Sequence, residues 1–456
     1  MRYGMRTYDK RIAFLISDQH LIPHGGIGQF AKGFVEMCDR INWKVDILLD
    51  KKPTNDFSKL IKDLGANIVT TDKSLKYSDH TATFAFSDSV NFEKVINFRK
   101  AILKAFETNV YDMIVCNTHE AMTAAHAISI GQYIPIVFYT HSTYMIFREK
   151  QKFSDVFLDT YNDFYVKHTE LNDVYVGTQS ITNLTHLEQL GHKNAAYLPM
   201  SMTERDLLIP TTKEQKGVLF IGRWEERKNP AAYIKVMKET GLPCKVMTND
   251  SGAKKFEKAF SEAGITDYEI RAGIVGQEKS DFIKGCKVFF MPSQGESYGF
   301  AFLECLGHMP CVVLDNQDWS MNFDEKYFYK EKLENAGNLI KLLYNVENYY
   351  DNGALDYVKK LDNDVSQSWI AFLDNFVAKH SNTNAAKINN YNSVCYRDYI
   401  KELEREHLAR EDFESVLANR YKFIINIYTD DNSYLSKDPA YKPIEEETGE
   451  SLFEFE

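Results

Sequence analysis

The feature that most constrains the fold is an alternation of short apolar runs with amphipathic helical patterns. In the first half of the chain the apolar runs occupy residues 12–16, 45–49, 113–116, 134–138 and 174–176. This alternation predicts parallel strands joined by helices, which is the pattern of a doubly wound α/β sheet. Ligands of such sheets bind at the carboxyl edge of the strands, so binding residues are expected in the loops that follow them.

The same alternation resumes after a segment, residues 199–212, that contains two prolines and several small polar residues. Further strands are expected at residues 217–222, 244–247, 268–270 and 288–291, which predicts a second doubly wound sheet. The predicted boundaries are 1–205 for the first domain and 206–365 for the second. A helix at 366–381 would cross back to the first domain, and residues 382–456 would form a linker, a helical extension and an acidic tail.

The composition is that of a large globular protein. The chain has 456 residues, of which 44% are hydrophobic, and this length favours two or more domains. The sequence has no apolar run of the roughly 18 to 20 residues that a membrane span needs, and the first apolar run is too short for a signal peptide. A cytoplasmic location is therefore predicted. Seven scattered cysteines indicate buried thiols, and no metal-ligand set is evident.

The net charge of −11 is unevenly distributed. Residues 291–456 contain 16 Lys and Arg against 30 Asp and Glu, whereas the rest of the chain contains 38 against 35. Phosphate backbones select basic surfaces, so the total charge at first argues against a polyanionic partner. Because the acidity belongs to the C-terminal part, that objection does not apply to the first 290 residues.

Residues 289–313 combine a strand, a polar turn, a helical run from Ser297 to Leu306 and a further strand after Pro310. The turn places Glu296 just before a helix start, where free backbone N–H groups favour a phosphate. Glu296 and Glu304 frame the turn, and carboxylates accept the hydrogen bonds of sugar hydroxyls. Spacing alone leaves open a plainer interpretation, in which both are solvated charges on a helix.

The segment from Glu296 to Glu304 resembles the E-x7-E signature of retaining glycosyltransferases with the GT-B fold, which include glycogen synthases and bacterial mannosyltransferases of family 4. The flanking Pro292-Ser293 and the segment from Gly307 through Pro310 to Val313 also agree with that family. The resemblance implies two Rossmann-like domains facing across a cleft. It also implies a nucleotide-sugar donor and transfer with retention at the anomeric carbon.

Three further segments resemble parts of the same family. Arg223 and Lys228 match its G-R-x4-K, which implies that they neutralise the donor diphosphate, although isolated basic residues are commonly just solvated. Gly25 and Gly26 match its glycine loop facing the diphosphate, and a plain tight turn is the alternative. His141 matches the histidine that contacts the donor sugar.

The family resemblance completes the expected site. The remaining donor-binding candidates are Val275 beside the nucleotide base, the backbone amides around Tyr298, Gly299 and Phe300 near the diphosphate, Glu296 on the sugar hydroxyls and Glu304 on the ribose. His119 and Glu120 are candidates for the acceptor side, where a histidine after a strand is otherwise a common loop residue. The catalytic candidates are His141, Glu296, Arg223 and Lys228.

The resemblance therefore implies a retaining glycosyltransferase that uses a nucleoside diphosphate sugar, with a UDP-sugar expected and no further cofactor. A nucleotide-sugar epimerase of the same fold and an inactive nucleotide-sugar-binding protein remain alternatives. The acceptor is expected to be a saccharide or a hydroxymethylated base in phage DNA, and the oligomeric state is left open. DNA would need a basic surface, for which the candidates are Lys51, Lys52, Lys59, Lys62, Lys73, Lys76, Lys254, Lys255 and Lys258.

Overall fold

The computed structural model of the chain describes residues 8–23, 26–53, 56–71, 92–127, 134–141, 174–189, 191–211, 214–346 and 353–380. The chain divides into two compact units. Unit 1 takes the chain as far as Thr178, Leu187–Ala196 and the residues from Ile370 onward, and unit 2 takes Gln179–His186 and Tyr197–Trp369. The predicted linker, helical extension and acidic tail at residues 382–456 lie outside the described residues.

Unit 1 is built on a seven-stranded sheet in the order β3-β2-β1-β4-β5-β6-β7. Strand β1 pairs in parallel with β2 on one side and with β4 on the other. The strands are β1 (Lys10–Ile16), β2 (Trp43–Leu49), β3 (Asn67–Thr70), β4 (Met113–Cys116), β5 (Ile136–Thr140), β6 (Val174–Thr178) and β7 (Ala195–Tyr197). Each apolar run predicted as a strand in this half overlaps one of them. Strand β5 starts two residues later than predicted, after Pro135, which has no N–H to donate to a ladder.

The helices of the first part of the chain are α1 (Gly26–Arg40), α2 (Phe57–Asp63), α3 (Phe92–Phe106), α4 (His119–Ala127) and α5 (Ile181–Gln189), of which α5 begins in unit 2 and ends in unit 1. An aromatic core packs α1 against the unit 1 sheet. On α1, Phe30 and Phe34 lie on one face four residues apart, and their rings sit 5.5 and 5.1 Å from that of Phe14 on β1. This packing holds α1 against β1, the strand that precedes it in the chain.

Unit 2 repeats the architecture with a six-stranded parallel sheet in the order β10-β9-β8-β11-β12-β13. The strands are β8 (Val218–Ile221), β9 (Cys244–Thr248), β10 (Tyr268–Ala272), β11 (Val288–Met291), β12 (Cys311–Leu314) and β13 (Tyr329–Glu331). The helices are α6 (Pro230–Thr240), α7 (Asp250–Ala263), α8 (Gly276–Lys284), α9 (Phe300–Leu306) and α10 (Leu333–Tyr344). The prediction of two doubly wound sheets is confirmed.

The predicted start of the helix after β11 was wrong by three residues. Helix α9 begins at Phe300 instead of Ser297 because Gly299, which precedes it, has a φ of +88°. This left-handed conformation cannot continue a helix and strongly favours glycine. A Cβ at Gly299 would also lie 2.8 Å from the ring of Trp319, so the turn and the packing both require this residue.

Helix α11 (Ala354–His380) belongs to unit 2 up to Trp369 and to unit 1 from Ile370, and it includes residues 366–380 of the helix predicted at 366–381. Within unit 2, Asp362 accepts hydrogen bonds from Ser201 Oγ and Met202 N at 3.0 and 2.8 Å, and Trp369 Nε1 donates to Pro199 O at 3.0 Å. Within unit 1, Phe372 packs edge-on against the ring of Tyr175 with centroids 5.1 Å apart.

Two further predictions concern thiols and membranes. The six cysteines within the described ranges are buried and unpaired, as expected for reduced thiols; the seventh, Cys395, lies outside those ranges. In the described part of the chain, no helix combines the length and apolarity needed to cross a membrane.

Candidate functional site

The order of the unit 2 strands creates a crevice at the carboxyl ends of β8 and β11. These two strands pair in parallel, with Val218 opposite Val288 and Leu219 opposite Phe289, yet the strands that follow each of them lie on opposite sides. The connections leave the sheet in opposite directions at this point, which is where ligands of doubly wound sheets bind. The loop after β8 holds Arg223, Arg227 and Lys228, and the loop after β11 holds Glu296.

Glu296 is fixed in this crevice by two cations from the neighbouring loop. Lys228 Nζ donates to Glu296 Oε1 at 2.6 Å, and Arg227 Nη1 donates to Glu296 Oε2 at 3.3 Å. The Glu296 side chain is only 9% exposed. Burial alone would raise the pKa of this carboxyl, but Lys228 and then Arg227 outweigh burial and hold its pKa below the ordinary value. Glu296 is therefore an oriented carboxylate at neutral pH.

The loop after β8 is shaped so that Lys228 can reach Glu296. A Cβ on Gly222 would lie 3.3 Å from Lys228 Cγ and Cδ, so the glycine leaves room for the lysine stem. Asn229 then adopts a left-handed φ of 51° and caps α6, its side chain accepting from Ala232 N, and Pro230 occupies the first helical position. These features end the loop sharply and direct the lysine toward the crevice.

Arg227 ties the two loops together through the main chain as well. Its Nη1 donates to Gly295 O at 2.7 Å, and its carbonyl oxygen accepts from Gln294 N at 2.7 Å. Reasoning from the sequence missed this residue, although it directly precedes Lys228. Its neighbour in the motif, Arg223, is placed differently: its side chain is 64% exposed and pairs with Glu225 at 2.9 Å. The structure thus brings Lys228 and Arg227, not Arg223, to Glu296.

Glu304 forms a second buried ion pair in unit 2. Its carboxylate, on α9, accepts from Lys279 Nζ of α8 at 2.5 Å, and the two side chains are 4% and 13% exposed. Such a buried carboxylate is not the solvated helix charge of the plainer interpretation. Lys279 was also missed, because nothing near it in the sequence marks it as a partner of a residue 25 positions away.

The segment that precedes α8 leaves Val275 partly exposed. Val275 lies immediately before the helix with extended backbone, and the residue is 42% exposed. The next residue, Gly276, has a φ of +59°, and its N–H donates to Glu204 Oε1 at 3.4 Å. Val275 therefore sits on an ordered turn, as a residue offering main-chain atoms to a ligand requires.

Tyr298, Gly299 and Phe300, at the start of α9, differ in their environment, since the first is a core residue and the others form the turn and the first helical position. Tyr298 is buried and packs against Phe300 and Phe323 with centroids 5.4 and 5.3 Å apart. Burial raises the pKa of Tyr298 well above its ordinary value, so the side chain acts as core and does not supply a charge. What this turn can offer to a ligand is the backbone N–H groups at the start of α9.

The strand order of unit 1 also reverses direction, between β1 and β4: β2 lies on one side of this pair and β5 on the other. His141, just after β5, approaches Asn117, just after β4: His141 Nε2 lies 3.0 Å from Asn117 Oδ1. The imidazole ring also meets the edge of Phe30 with centroids 5.2 Å apart. Burial and then the nearby His20 lower the pKa of His141 to about 3, so the ring is neutral at pH 7.

The other unit 1 candidates differ in whether the structure describes them and in how buried they are. Gly25 lies outside the described residues, and Gly26, the first residue of α1, is exposed with no atom near its missing Cβ. The glycine that the packing requires is Gly28, whose Cβ would lie 2.1 Å from Ile22 O. His119 begins α4, although its side chain is outside the description, and Glu120 is buried in the first turn.

The lysines considered for a nucleic-acid surface fall into two groups. On unit 1 they surround α2, and on unit 2 three lie along α7 with their side chains outward, one of them, Lys258, pairing with Glu262 at 3.8 Å. Lys73 and Lys76 lie outside the described residues. As for metals, the described residues contain no group of three or more His, Cys, Asp or Glu side chains placed to hold an ion.

Comparison with known proteins identifies the fold. The sequence matches no protein-family model and no curated protein. Among solved structures, the chain is similar to a sucrose-phosphate synthase from Thermosynechococcus elongatus, with 15% identity and a TM-score of 0.57 over 83% of this chain and 100% of that one. It is also similar to Anabaena HepE in complex with UDP and glucose, with 13% identity and a TM-score of 0.55 over 81% of this chain and 98% of that one.

A third similar structure is the E. coli trehalose-6-phosphate structure bound with UDP-2-fluoro glucose, at 10% identity and a TM-score of 0.54. It matches 80% of this chain and 98% of its own. The chain has the GT-B fold. At these identities the likeness establishes the architecture, and the chemistry has to be inferred from the residues themselves.

Proposed function

We propose that this protein transfers a sugar from a nucleoside diphosphate donor to an acceptor hydroxyl, and that unit 2 binds the donor. The observation that carries the proposal is the Glu296 carboxylate held by Lys228 and Arg227 where β8 and β11 diverge. Two cations and one oriented carboxylate at a strand-end crevice suit a ligand that combines phosphate with neighbouring hydroxyls.

The charge balance of this crevice fits a departing diphosphate. Arg223, Arg227 and Lys228 carry three positive charges against the two carboxylates they pair with, Glu225 and Glu296, so one positive charge remains for the ligand. Negative charge builds on the diphosphate as the bond to the sugar breaks, and preorganised cations and N–H groups stabilise it most at that moment. Arg223, exposed at the mouth of the same loop, is proposed to join them on the diphosphate, as the resemblance to G-R-x4-K implies.

The other candidate residues are each proposed to contact one part of the donor or the acceptor. Glu296 is proposed to orient the sugar hydroxyls, and Glu304 to accept from the ribose. The main chain at Val275 is proposed to meet the base, and the amides around Tyr298, Gly299 and Phe300 the phosphates. On unit 1, Gly25 and Gly26 are proposed to approach the diphosphate, His141 the sugar, and His119 with Glu120 the acceptor.

A UDP-sugar is the donor we propose. Two of the similar structures support it, since one is described in complex with UDP and glucose and another with UDP-2-fluoro glucose. Retention of anomeric configuration is proposed from the E-x7-E resemblance. A saccharide is the proposed acceptor, with a hydroxymethylated base in phage DNA as the second candidate, and the reaction is placed in the cytoplasm.

The decisive experiment is a panel of nucleotide sugars assayed for nucleoside diphosphate release, with and without acceptors. Acceptor-dependent release supports the transferase, and the anomeric configuration of the product, determined by NMR, tests retention. Conversion of the donor to an isomer without acceptor would instead indicate an epimerase. Binding without turnover for every donor and acceptor would indicate an inactive nucleotide-sugar-binding protein.

The acceptor needs its own comparison. The panel is run in parallel with a simple saccharide and with a duplex containing hydroxymethylated bases, the latter followed by mass spectrometry. A DNA acceptor would have to leave the base stack, and DNA affinity would fall steeply with salt. Transfer to the saccharide together with no mass gain on the duplex rejects DNA as the acceptor.

A further inference from the structure

The loop after β12 contains a buried glutamine, Gln317, that reasoning from the sequence did not single out. Gln317 is only 6% exposed and directly precedes the 3₁₀ turn Asp318–Asn322. Its carbonyl oxygen accepts from Ser320 N at 3.2 Å and from Ser320 Oγ at 2.7 Å, which fixes the main chain at this position. Glutamine is mostly an exposed residue, so the amide of a buried one is expected to have hydrogen-bond partners.

The partners of Gln317 determine the orientation of its amide. One end of the amide lies 2.9 Å from Ser293 O and 2.9 Å from Gln294 O, and the other end lies 2.6 Å from the side-chain amide of Asn316. Main-chain carbonyls only accept, so the end that faces them is the NH₂ group, which has two protons to donate. Asn316 is exposed and can turn its own NH₂ group toward the amide oxygen of Gln317.

The two carbonyls belong to the loop that carries Glu296, and this loop is held from two sides. In the sheet β11 lies between β8 and β12, so the loop after β11 has the β8 loop on one side and the β12 loop on the other. From the β8 loop, Arg227 donates to Gly295 O at 2.7 Å and accepts from Gln294 N at 2.7 Å. From the β12 loop, Gln317 donates to the carbonyls directly before Gly295. These bonds fix the main chain that leads into Glu296.

We propose that Gln317 is a positioning residue, which holds the Glu296 loop so that the carboxylate keeps one orientation in the donor site. A functional side chain on a loop is only as well placed as the main chain that carries it. Arg227 contacts both the loop and the carboxylate, whereas both amide protons of Gln317 go to the loop, so Gln317 acts through Glu296. Its effect on sugar transfer rests on the proposed function, whereas the amide orientation and the support of the loop do not.

Gln215 is a matched control in the same unit. Its Nε2 also donates to two main-chain carbonyls, Lys284 O at 3.2 Å and His308 O at 2.9 Å. Gln215 precedes β8 and His308 precedes β12, so these bonds lie at the amino edge of the sheet, whereas the crevice lies at the carboxyl edge. Gln317→Leu and Gln215→Leu remove the same kind of hydrogen bonds and keep a similar side-chain volume. Only Gln317→Leu should alter the placement of Glu296.

The first test is a double-mutant cycle between Lys228→Gln and Glu296→Gln, with the free energy of unfolding measured in urea. The coupling between the two side chains should be smaller in the Gln317→Leu background than in the wild type, and it should be unchanged in Gln215→Leu. If Gln317→Leu does not fold, the cycle is run in Gln317→Glu at pH 8. Equal coupling with and without Gln317 overturns the positioning role, and this result needs no donor, acceptor or turnover.

The second test uses Gln317→Glu, which preserves the volume of the side chain. An ionised carboxylate has no proton for the two carbonyls and the protonated acid has one, so the pKa of this glutamate should be raised above its ordinary value of about 4.3. Because the folded pKa then exceeds the unfolded one, the stability of the variant relative to the wild type is highest at acid pH. It declines as the pH rises through the folded value.

Urea midpoints of wild type and Gln317→Glu are compared from pH 5 to 8, a range that lies above the titration of Glu296. The difference between them should grow with pH, and Gln215→Glu should behave in the same way because its environment also consists of two carbonyls. A difference for Gln317→Glu that is constant over this range overturns the amide orientation.

The third test is sugar transfer from UDP-glucose and the other donors of the nucleotide-sugar panel. Gln317→Leu should lower kcat/KM by roughly tenfold to 10²-fold, because a small displacement of a substrate-orienting group is costly, whereas Gln215→Leu should keep the wild-type value. The activity of Gln317→Glu relative to wild type should fall from pH 5 to 8, and that of Gln317→Leu should stay in constant ratio. Wild-type rates in Gln317→Leu overturn the proposal. If no donor gives turnover, the proposed function fails, while the coupling and the pH dependence still decide whether Gln317 positions Glu296.

Discussion

Lys228 Nζ lies 2.6 Å from Glu296 Oε1, although the two residues are 68 positions apart in the sequence. The contact joins the loops after β8 and β11, two strands that are neighbours in the sheet. Each residue alone is ambiguous, because a lysine or a glutamate in a loop is usually solvated. Their pairing in a nearly buried position makes the crevice a defined electrostatic site.

Replacing Lys228 by alanine should slow transfer by about 10²-fold or more, since it removes one preorganised cation from the departing diphosphate. Donor affinity should fall as well. The measurement is kcat/KM for the donor, with donor binding by calorimetry. Lys216→Ala is the matched control in the same unit, because Lys216 pairs with Asp267 at 3.5 Å on the surface and both side chains are more than 60% exposed. Equal rates for the two variants would remove Lys228 from the site.

The alanine variants of Arg223 and Arg227 should differ in their unfolding free energy and in their donor binding. Loss of Arg227 removes hydrogen bonds to Gly295 O and to the Glu296 carboxylate, so the free energy of unfolding should drop by about 1–3 kcal/mol. Loss of Arg223, which is mostly exposed, should change stability by no more than about 0.5 kcal/mol. If Arg223 binds the diphosphate, its loss should nevertheless weaken donor binding, and less so at high salt. Urea unfolding and donor titrations test both statements, and unaltered donor binding in Arg223→Ala would exclude its proposed role.

Glu304→Gln should raise the donor KM with little change in kcat, because a ribose contact made equally in the ground and transition states is uniform binding. It should also destabilise unit 2, since Lys279 is left buried without its counter-charge. The double variant Glu304→Gln with Lys279→Gln should recover much of the stability while KM stays high. Recovery of KM together with stability would show that Glu304 acts only through folding.

The carboxylate of Glu296 should make folding sensitive to acid in a defined range. Its pKa is lowered from the ordinary value of 4.5 in the folded chain, so its contribution to stability is complete above pH 4.5. That contribution is lost as the pH falls below 4.5 through the folded value, because the unfolded state then binds the proton first. Unfolding free energies of the wild type and Glu296→Gln should therefore converge as the pH falls from 5 to 3.

The matched control for the acid experiment is Glu262→Gln, since Glu262 is 68% exposed and only loosely paired with Lys258. Its unfolding curves should run parallel to those of the wild type over the same pH range. A constant difference between wild type and Glu296→Gln from pH 5 to 3 would contradict the lowered pKa.

Replacement by alanine of two glycines of α1, Gly28 and Gly26, should have different effects on the stability of unit 1. Gly28→Ala places a Cβ 2.1 Å from Ile22 O, so it should displace the main chain at Ile22 and destabilise unit 1 by about 1–3 kcal/mol. Gly26→Ala meets no atom within 4 Å and should be neutral or slightly stabilising. Thermal unfolding of the two variants measures both effects. Similar melting temperatures would show that the close approach at Gly28 is relieved without cost.

The sequence predicted the strands well because each carries its own local signal. The strands at Met113–Cys116 and Val288–Met291 were placed correctly to the residue, since both are short apolar runs bounded by polar residues or proline. The start of α9 was misplaced because Gly299 has a left-handed conformation, at a position where an added Cβ would lie 2.8 Å from the ring of Trp319, 20 positions away. Element type is local information, whereas the conformation of a single turn residue often depends on tertiary packing.

The site residues show the same division. Lys228, Glu296 and Glu304 were singled out as candidates through a motif, but their ion-pair partners Arg227 and Lys279 were not, because these pairs form only in the folded sheet. The contact between Asn117 and His141 escaped notice for a similar reason, because the two residues are 24 positions apart.

Helix α11 has a consequence for the order in which the protein can mature during synthesis. Pro199 can accept the hydrogen bond of Trp369 only after 170 further residues have been synthesised, and Ser201 can donate to Asp362 only after 161. The ring of Tyr175 likewise has no Phe372 to pack against until α11 has been made. Domains commonly fold one after another from the N-terminus as a ribosome extends the chain. Here the nascent polypeptide holds two incompletely closed cores until a single late helix emerges, so a stalled or prematurely terminated product should be a substrate for chaperones and proteases throughout both units.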